Sequence, residues 1–391
     1  MRKRVAIIGG GASGMLSSIV CAQNGLDVTL FEKSSKVGRK ILATGNGRCN
    51  ISNKNVSVDD YHGKNPLFVK YALNQLDVEK FFANLGLEMV VGKNSKLFPM
   101  SLQSSTVVDI LYYHVKKEGV KVFLSNEVEE VEKRGDKFLI LNREFDAVVV
   151  ASGSNAMPTL GSSDSGYKFA KTYGHSIEKP FASLVQLISN DEKVTTASGV
   201  KIDADLEIYV DKTPKMSVRG DLLFTNYGLS GSAILDISRE ASMALSRKKS
   251  VEIKIDLMPE LSYDGLKSLL LKRSKLNLPV ELWLNGIVHK KLIKLLDMED
   301  KQINTKSIHK LSYAIKNLVI KIDGTKGEKS CEVMAGGVST ADINPKTMES
   351  RLVENLYFCG EVLDIDGDCG GFNLHFAWVS AYVAALSLSR L

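Results

Sequence analysis

No stretch of this 391-residue chain is long and apolar enough to span a membrane: the most apolar late run, 376–386, falls short of the ~20 residues a bilayer requires. Cysteine is scarce. Five are scattered, at Cys21, Cys49, Cys331, Cys359 and Cys369, with neither metal-ligand spacing nor a disulfide framework. That excludes a stapled secreted scaffold and a zinc module, and it points to the reducing cytoplasm. A Ser-His-Asp triad, an internal repeat and a low-complexity linker are also missing. The start Met1-Arg2-Lys3-Arg4 could open a signal peptide, but three consecutive glycines break the apolar run behind it. The length allows two or three domains, and 44% hydrophobic with 25% charged residues suits an ordinary soluble globular enzyme.

What is present begins at Val5. Val5-Ala6-Ile7-Ile8 reads as a short buried strand that breaks into Gly9-Gly10-Gly11-Ala12-Ser13-Gly14, which fits the spacing G-x-G-x-x-G. An apolar helix follows to about Gln23, Asn24-Gly25 turns the chain, and Val28-Thr29-Leu30-Phe31 forms a second strand ending at Glu32. Gly9 permits the tight turn, Gly11 lets the backbone approach a pyrophosphate, and Gly14 lets helix and strand pack closely. The helix N-terminus offers free N–H groups to the phosphates. Glu32 is placed to accept from a ribose hydroxyl. The dinucleotide is FAD or NAD; this motif alone does not choose.

Further along, 38–53 is a Gly- and Asn-rich loop. Helical patterns follow at 66–72 and 77–85, a strand at 89–91, and a helix over 104–118 with Ser104 as its N-cap. Strands are expected at 120–124 and 147–151, the latter ending in Ser152-Gly153, and a hairpin at 127–133 with 137–141. Residues 180–257 read as short alternating strands, an inserted β-rich domain. Residues 259–300 read as helical, with 308–311 and 319–322 returning to the β domain as strands. The last sixty residues carry a second signal. A strand at 356–359 closes on Gly360-Glu361 with Asp364 nearby, and Gly370-Gly371-Phe372-Asn373 opens an apolar helix. An acid after the strand suits ribityl hydroxyls, and the helix N-terminus suits the flavin N1/O2 edge. This returning segment favours FAD over NAD.

Four blocks together resemble the BaiN/YhiN-like flavoproteins, also labelled the aminoacetone oxidase family: residues 9–14; residues 38–53 with Thr44-Gly45-Asn46-Gly47-Arg48-Cys49-Asn50 at their centre; residues 222–231; and residues 336–373. The resemblance spans nearly the full length. It implies an α/β fold: a discontinuous Rossmann-like FAD-binding domain of glutathione-reductase type (1–185 and 331–391), an inserted β-barrel-like domain (186–258 and 307–330), and a small helical domain (259–306). It implies further FAD contacts at Lys33, Arg39, Lys40 and Val128. The chain departs from the family at Asn226, where His is common, and at Ser232, where Pro is common, so a histidine acid at 226 is in doubt.

A flavin carries the redox chemistry while the protein orients substrate and manages protons. Lys40 and Arg48 are candidates for FAD phosphates or the reduced flavin; both also read as solvated loop charges. Cys49 is the candidate proton donor, with a small residue fitted to a tight loop as the bland alternative. Asn226 and His375 are the other catalytic candidates, against a domain-junction turn and a packed ring. Residues 247–329 hold 18 Lys and Arg against 10 Asp and Glu, while the rest hold 33 against 35. A solvated helical surface or a polyanionic partner explains this excess. The expected activity is reduction of a conjugated C=C by hydride from flavin N5, best matched by uridine to dihydrouridine in 23S rRNA. In that reading Tyr263, Trp283 and His289 lie among the basic residues that would meet RNA. A small-amine oxidase using O₂ and an RNA-binding protein with structural FAD are the alternatives. Only one G-x-G-x-x-G is present, so NAD(P)H would act as a transient reductant without its own Rossmann domain.

Overall fold

The computed structural model describes residues 2–276, 278–296 and 304–390. They form two units, Met1–Phe181 with Glu332–Leu391, and Ala182–Cys331.

The first unit is built on a five-stranded parallel sheet in the order Leu356–Phe358, Ala147–Val150, Arg4–Ile8, Asp27–Phe31, Lys121–Phe123. Its central strands are continuous apolar runs, as a parallel sheet buried on both faces requires; all of Ala147–Val150 is fully buried. Helices Ala12–Gln23 and Phe372–Ser389 pack against each other, so the first and last helices of the chain share one core with the sheet. The expected hairpin is a three-stranded antiparallel sheet, Glu132–Arg134, Lys137–Ile140 and Arg143–Phe145. Phe145 meets Phe31 edge-on at 5.9 Å, which ties this sheet to the parallel one. Ser104 is the first residue of the Ser104–Lys117 helix and not its N-cap; that position is Gln103, which makes no side-chain cap, and Ser104 Oγ donates to the Leu42 carbonyl at 2.9 Å.

The second unit is a seven-stranded sheet whose neighbours pair antiparallel, ordered Leu318–Ile322, Val251–Asp256, Lys201–Val210, Thr213–Thr225, Gly228–Ser230, Leu187–Ile188, Gly324–Thr325. Its long hairpin turns through Asp211 and Lys212, both at positive φ (48° and 64°), as a two-residue turn matched to strand twist demands. Two expectations fail here. Residues 232–246, expected among strands, form the helix Ser232–Ser246, which buries Ala233, Ile234, Ile237, Ala241 and Ala244 on one face. Residues 308–311, expected as a strand, lie inside the helix Thr305–Lys316, where Ile308, Leu311 and Ile315 recur at helical spacing. Asn304 starts that helix by accepting from the Ser307 N–H at 2.9 Å. The 259–306 stretch contains helices Tyr263–Ser274, Val280–Trp283 and Lys290–Ile293, and Leu266, Leu270, Trp283, Leu284, Leu292 and Leu296 from it share the core of the sheet. Residues 297–303 lie outside the described residues.

Candidate active site

The glycine turn is shaped by what each glycine excludes. Gly9 sits at φ 107°, and a Cβ there would lie 2.5 Å from the Ala151 carbonyl oxygen. A Cβ on Gly14 would lie 1.8 Å from the Gly9 carbonyl oxygen, so helix and strand meet only because Gly14 has none. Gly11 differs: nothing stands within 4 Å of its Cβ direction, which leaves the backbone open to a ligand. The Ala12–Gln23 helix, with Ala12 and Ser13 in its first turn, has no side-chain cap and no first-turn acid. Its N-terminus thus keeps its attraction for phosphate. Glu32 closes the turn. Its Oε2 accepts from Gly10 N–H at 2.7 Å and its Oε1 from Ser34 N–H at 2.7 Å. Lys33 and Arg39 donate to the Ser162 and Thr159 carbonyls, and Val128 is buried.

Loop 38–53 is stitched to the returning C-terminal segment. Lys40 Nζ lies 2.6 Å from Glu361 Oε2, and Glu361 Oε1 accepts from Ser154 Oγ at 2.7 Å and from the Met334 N–H at 3.1 Å. Two residues assigned separately to the cofactor therefore bind each other, and one carboxylate joins four chain segments. Asn53 Nδ2 donates to the Gly370 carbonyl, Trp378 Nε1 to the Ile51 carbonyl and Tyr61 OH to the Phe372 carbonyl. Asn373 clasps Gly367 through both its amide atoms. Gly371 sits at φ 95°, where a Cβ would meet the Ser52 carbonyl at 2.5 Å. Gly45 and Asn46 turn the loop in the left-handed region, Thr44 Oγ1 donates to the Ile41 carbonyl, and Arg48 lies over the Phe98 ring. Asn50 Oδ1 and Ser152 Oγ are buried without a hydrogen-bond partner, which suits groups that meet a polar ligand. Gly153 (φ 72°) and Gly360 (φ 75°) end their strands in the same left-handed region.

The catalytic candidates are placed differently from one another. Cys49 has no exposed surface and sits at φ 58°; burial pushes its thiol up to about 12 against a hydrogen bond with Thr44. As placed, it meets a substrate only if the loop opens. His375 is buried with Nδ1 2.7 Å from Ser52 Oγ, and burial lowers its pKa to about 4. Its Nε2 is buried without a hydrogen-bond partner. Asn226 belongs to the other unit, in the turn between Thr213–Thr225 and Gly228–Ser230, where Thr225 Oγ1 donates to the Gly228 carbonyl at 3.0 Å. Asp364 Oδ2 accepts from the Lys64 N–H at 2.8 Å. The sequence reading missed one pair. His62 Nε2 lies 2.7 Å from Asp368 Oδ1, with both side chains partly exposed (36% and 45%), beside the paired strands Tyr61–His62 and Asp366–Gly367. The alternating acids Asp364, Asp366 and Asp368 around a glycine were its only signal. Trp283, expected to face RNA, is fully buried in the core of its unit, because a large ring there fills the space between helices and sheet.

Fold and site define an FAD-dependent oxidoreductase, with the cofactor domain interrupted by an inserted unit. The chain belongs to the HI0933-like protein Rossmann domain family, which matches residues 3–387. It is 33% identical to a 3-dehydro-bile acid delta(4,6)-reductase of Clostridium scindens, covering 97% of this chain and 98% of that protein. It is also 33% identical to a ribosomal RNA dihydrouridine synthase of Haemophilus influenzae, covering 98% of each. Among solved structures, an open-conformation flavocytochrome c3 fumarate reductase shares the fold at TM-score 0.50 and 15% identity, over all of this chain and 78% of the other.

Proposed function

We propose that this oxidoreductase reduces a conjugated C=C bond, with uridine in 23S rRNA as substrate and dihydrouridine as product. The observation that carries the reading is the Glu361 junction, which ties the Gly-rich loop at Lys40, the segment after strand Ala147–Val150 at Ser154 and the strand Val333–Val338 at Met334 to one carboxylate. Two relatives matched over nearly full length support the chemistry, since one is named for reducing double bonds and the other for forming dihydrouridine. The basic excess in 247–329 favours the RNA substrate over a small molecule.

Bound FAD supplies the hydride. Around it, Gly11 and the Ala12–Gln23 helix N-terminus would hold the pyrophosphate, and Glu32, with lone pairs to spare, would accept from the adenosine ribose. The Lys40–Glu361 pair would supply polar groups to the ribityl hydroxyls. Saturating a C=C also needs a proton at the second carbon. The geometry favours the His62–Asp368 pair for it, because solvent can reprotonate a half-exposed imidazole, whereas donation from buried Cys49 leaves a thiolate without water. NAD(P)H serves as a transient reductant, and the reaction runs in the cytoplasm, where rRNA is found.

Deleting the gene and digesting 23S rRNA to nucleosides should remove a dihydrouridine from its mass spectrum; an unchanged level sinks the reading. In the purified enzyme, His62→Gln should slow single-turnover substrate reduction by about 10²-fold or more while FAD stays bound. Cys49→Ala should change it less than about fivefold. The reverse pattern returns the proton to Cys49.

A further inference from the structure

The basic excess has a defined place in the second unit. The Thr305–Lys316 helix carries no acid, and its Lys306, His309, Lys310 and Tyr313 recur at i, i+3, i+4 and i+7 on the exposed face, opposite buried Ile308, Leu311 and Ile315. Tyr313 is 63% exposed. Its neighbour is the Tyr263–Ser274 helix, joined to it by Tyr263 OH 3.2 Å from His309 Nδ1, and that helix adds exposed Lys272. Among the described residues, Lys272, Lys306 and Lys310 are in no ion pair, whereas Lys316 on the inner side is bound to Asp256 and to two carbonyls. Three lysines outside any ion pair, beside two exposed phenol rings, match a strand of alternating phosphate and base.

We propose that this face, made of Lys272, Lys306, Lys310, Tyr263, His309 and Tyr313, docks an unpaired segment of rRNA. The lysines hold phosphates and Tyr313 stacks on a base. Charge complementarity selects a polyanion, and exposed rings between the charges select single strands over duplex. The inference rests on the rRNA reading above but concerns how the substrate is held, not how it is reduced.

The test uses the full-length, FAD-loaded chain and an unmodified 23S rRNA transcript. Binding is followed by anisotropy across salt concentrations, and dihydrouridine formation gives kcat and KM. Lys306→Glu with Lys310→Glu should raise Kd and KM about tenfold or more, leave kcat within about twofold, and flatten the salt slope by about 1.4. Tyr313→Ala should weaken binding of a single-stranded fragment about tenfold and leave duplex binding nearly unchanged. A charge-matched control on the other unit, Lys117→Glu with Lys171→Glu, should change Kd less than about threefold. If the reversed protein misfolds, Lys306→Gln with Lys310→Gln should still raise KM measurably. Reversal that acts no more than the control, a loss confined to kcat, or binding that appears only with ribosomal proteins present overturns the proposal. A wild type that binds through these lysines yet forms no dihydrouridine sinks the uridine reading alone. A wild type that forms it, with the variants unaffected, sinks the docking face alone.

Discussion

His375 is neutral at physiological pH because its ring is buried beside Ser52, which lowers its pKa to about 4. In the unfolded chain an imidazole titrates near 6.5, so between those values the unfolded state holds a proton that the folded state does not. Stability should therefore be fully present above about pH 6.5 and fall as pH drops toward 4, by about 3 kcal/mol. Urea unfolding of wild type and His375→Gln at pH 7 and pH 4.5 checks this; equal pH slopes in the two proteins would refute it. Burial likewise favours the neutral form of Cys359, whose thiol it pushes up to about 12, which keeps it an unreactive core residue. His62 differs from all of these by its access to solvent and its carboxylate partner.

At the level of elements, the glycine turn separates folding from binding. Gly14→Ala forces a Cβ onto the Gly9 carbonyl, where neither backbone can yield cheaply. It should destabilise even the cofactor-free protein by about 3 kcal/mol. Gly11→Ala meets open space. Its cofactor-free protein should melt within about 2 °C of wild type while FAD affinity falls about tenfold or more, because the new methyl stands where the pyrophosphate approaches. Thermal melts with and without FAD distinguish the two, and equal loss of stability in both variants would refute the assignment. The Phe372–Ser389 helix repeats the arrangement. It starts at a left-handed glycine with no side-chain cap and no first-turn acid, so its dipole stays available to a developing negative charge.

Across the whole molecule, two hydrophobic cores are distinct: one holds the parallel sheet with its first and last helices, the other the antiparallel sheet with its helices. The cofactor groups identified above lie on the first unit. Calorimetry should show two unfolding transitions, and adding FAD at about 100 times its Kd should stabilise only one of them, by about 2.7 kcal/mol. A single transition that moves as a whole would refute independent units. No described helix is long and apolar enough to cross a membrane. The charge is just as unevenly placed, since the whole basic excess lies within 247–329, inside the second unit, and the remaining residues are slightly acidic.

The sequence alone determined the cofactor domain. The strand 5–8, the glycines at 9, 11 and 14, the strand to Glu32 and the return at Gly360 and Gly371 are legible as local patterns, although the atoms that require Gly9 and Gly371 to lack a side chain, the Ala151 and Ser52 carbonyls, lie far along the chain. Periodicity read over too short a window missed the Ser232–Ser246 and Thr305–Lys316 helices, since a helical face shows itself only across three or four turns. Only the tertiary structure decided which side chains are spent on each other. Lys40 with Glu361 lies 321 residues apart in the chain, and His62 with Asp368 lies 306 apart. The same holds for burial: Trp283 and Cys49 have the composition of contact residues but lie inside their cores, while Tyr313 stays outside. Partners so distant in sequence leave no periodic trace, because packing of the completed sheets and helices, not local spacing, brings them together.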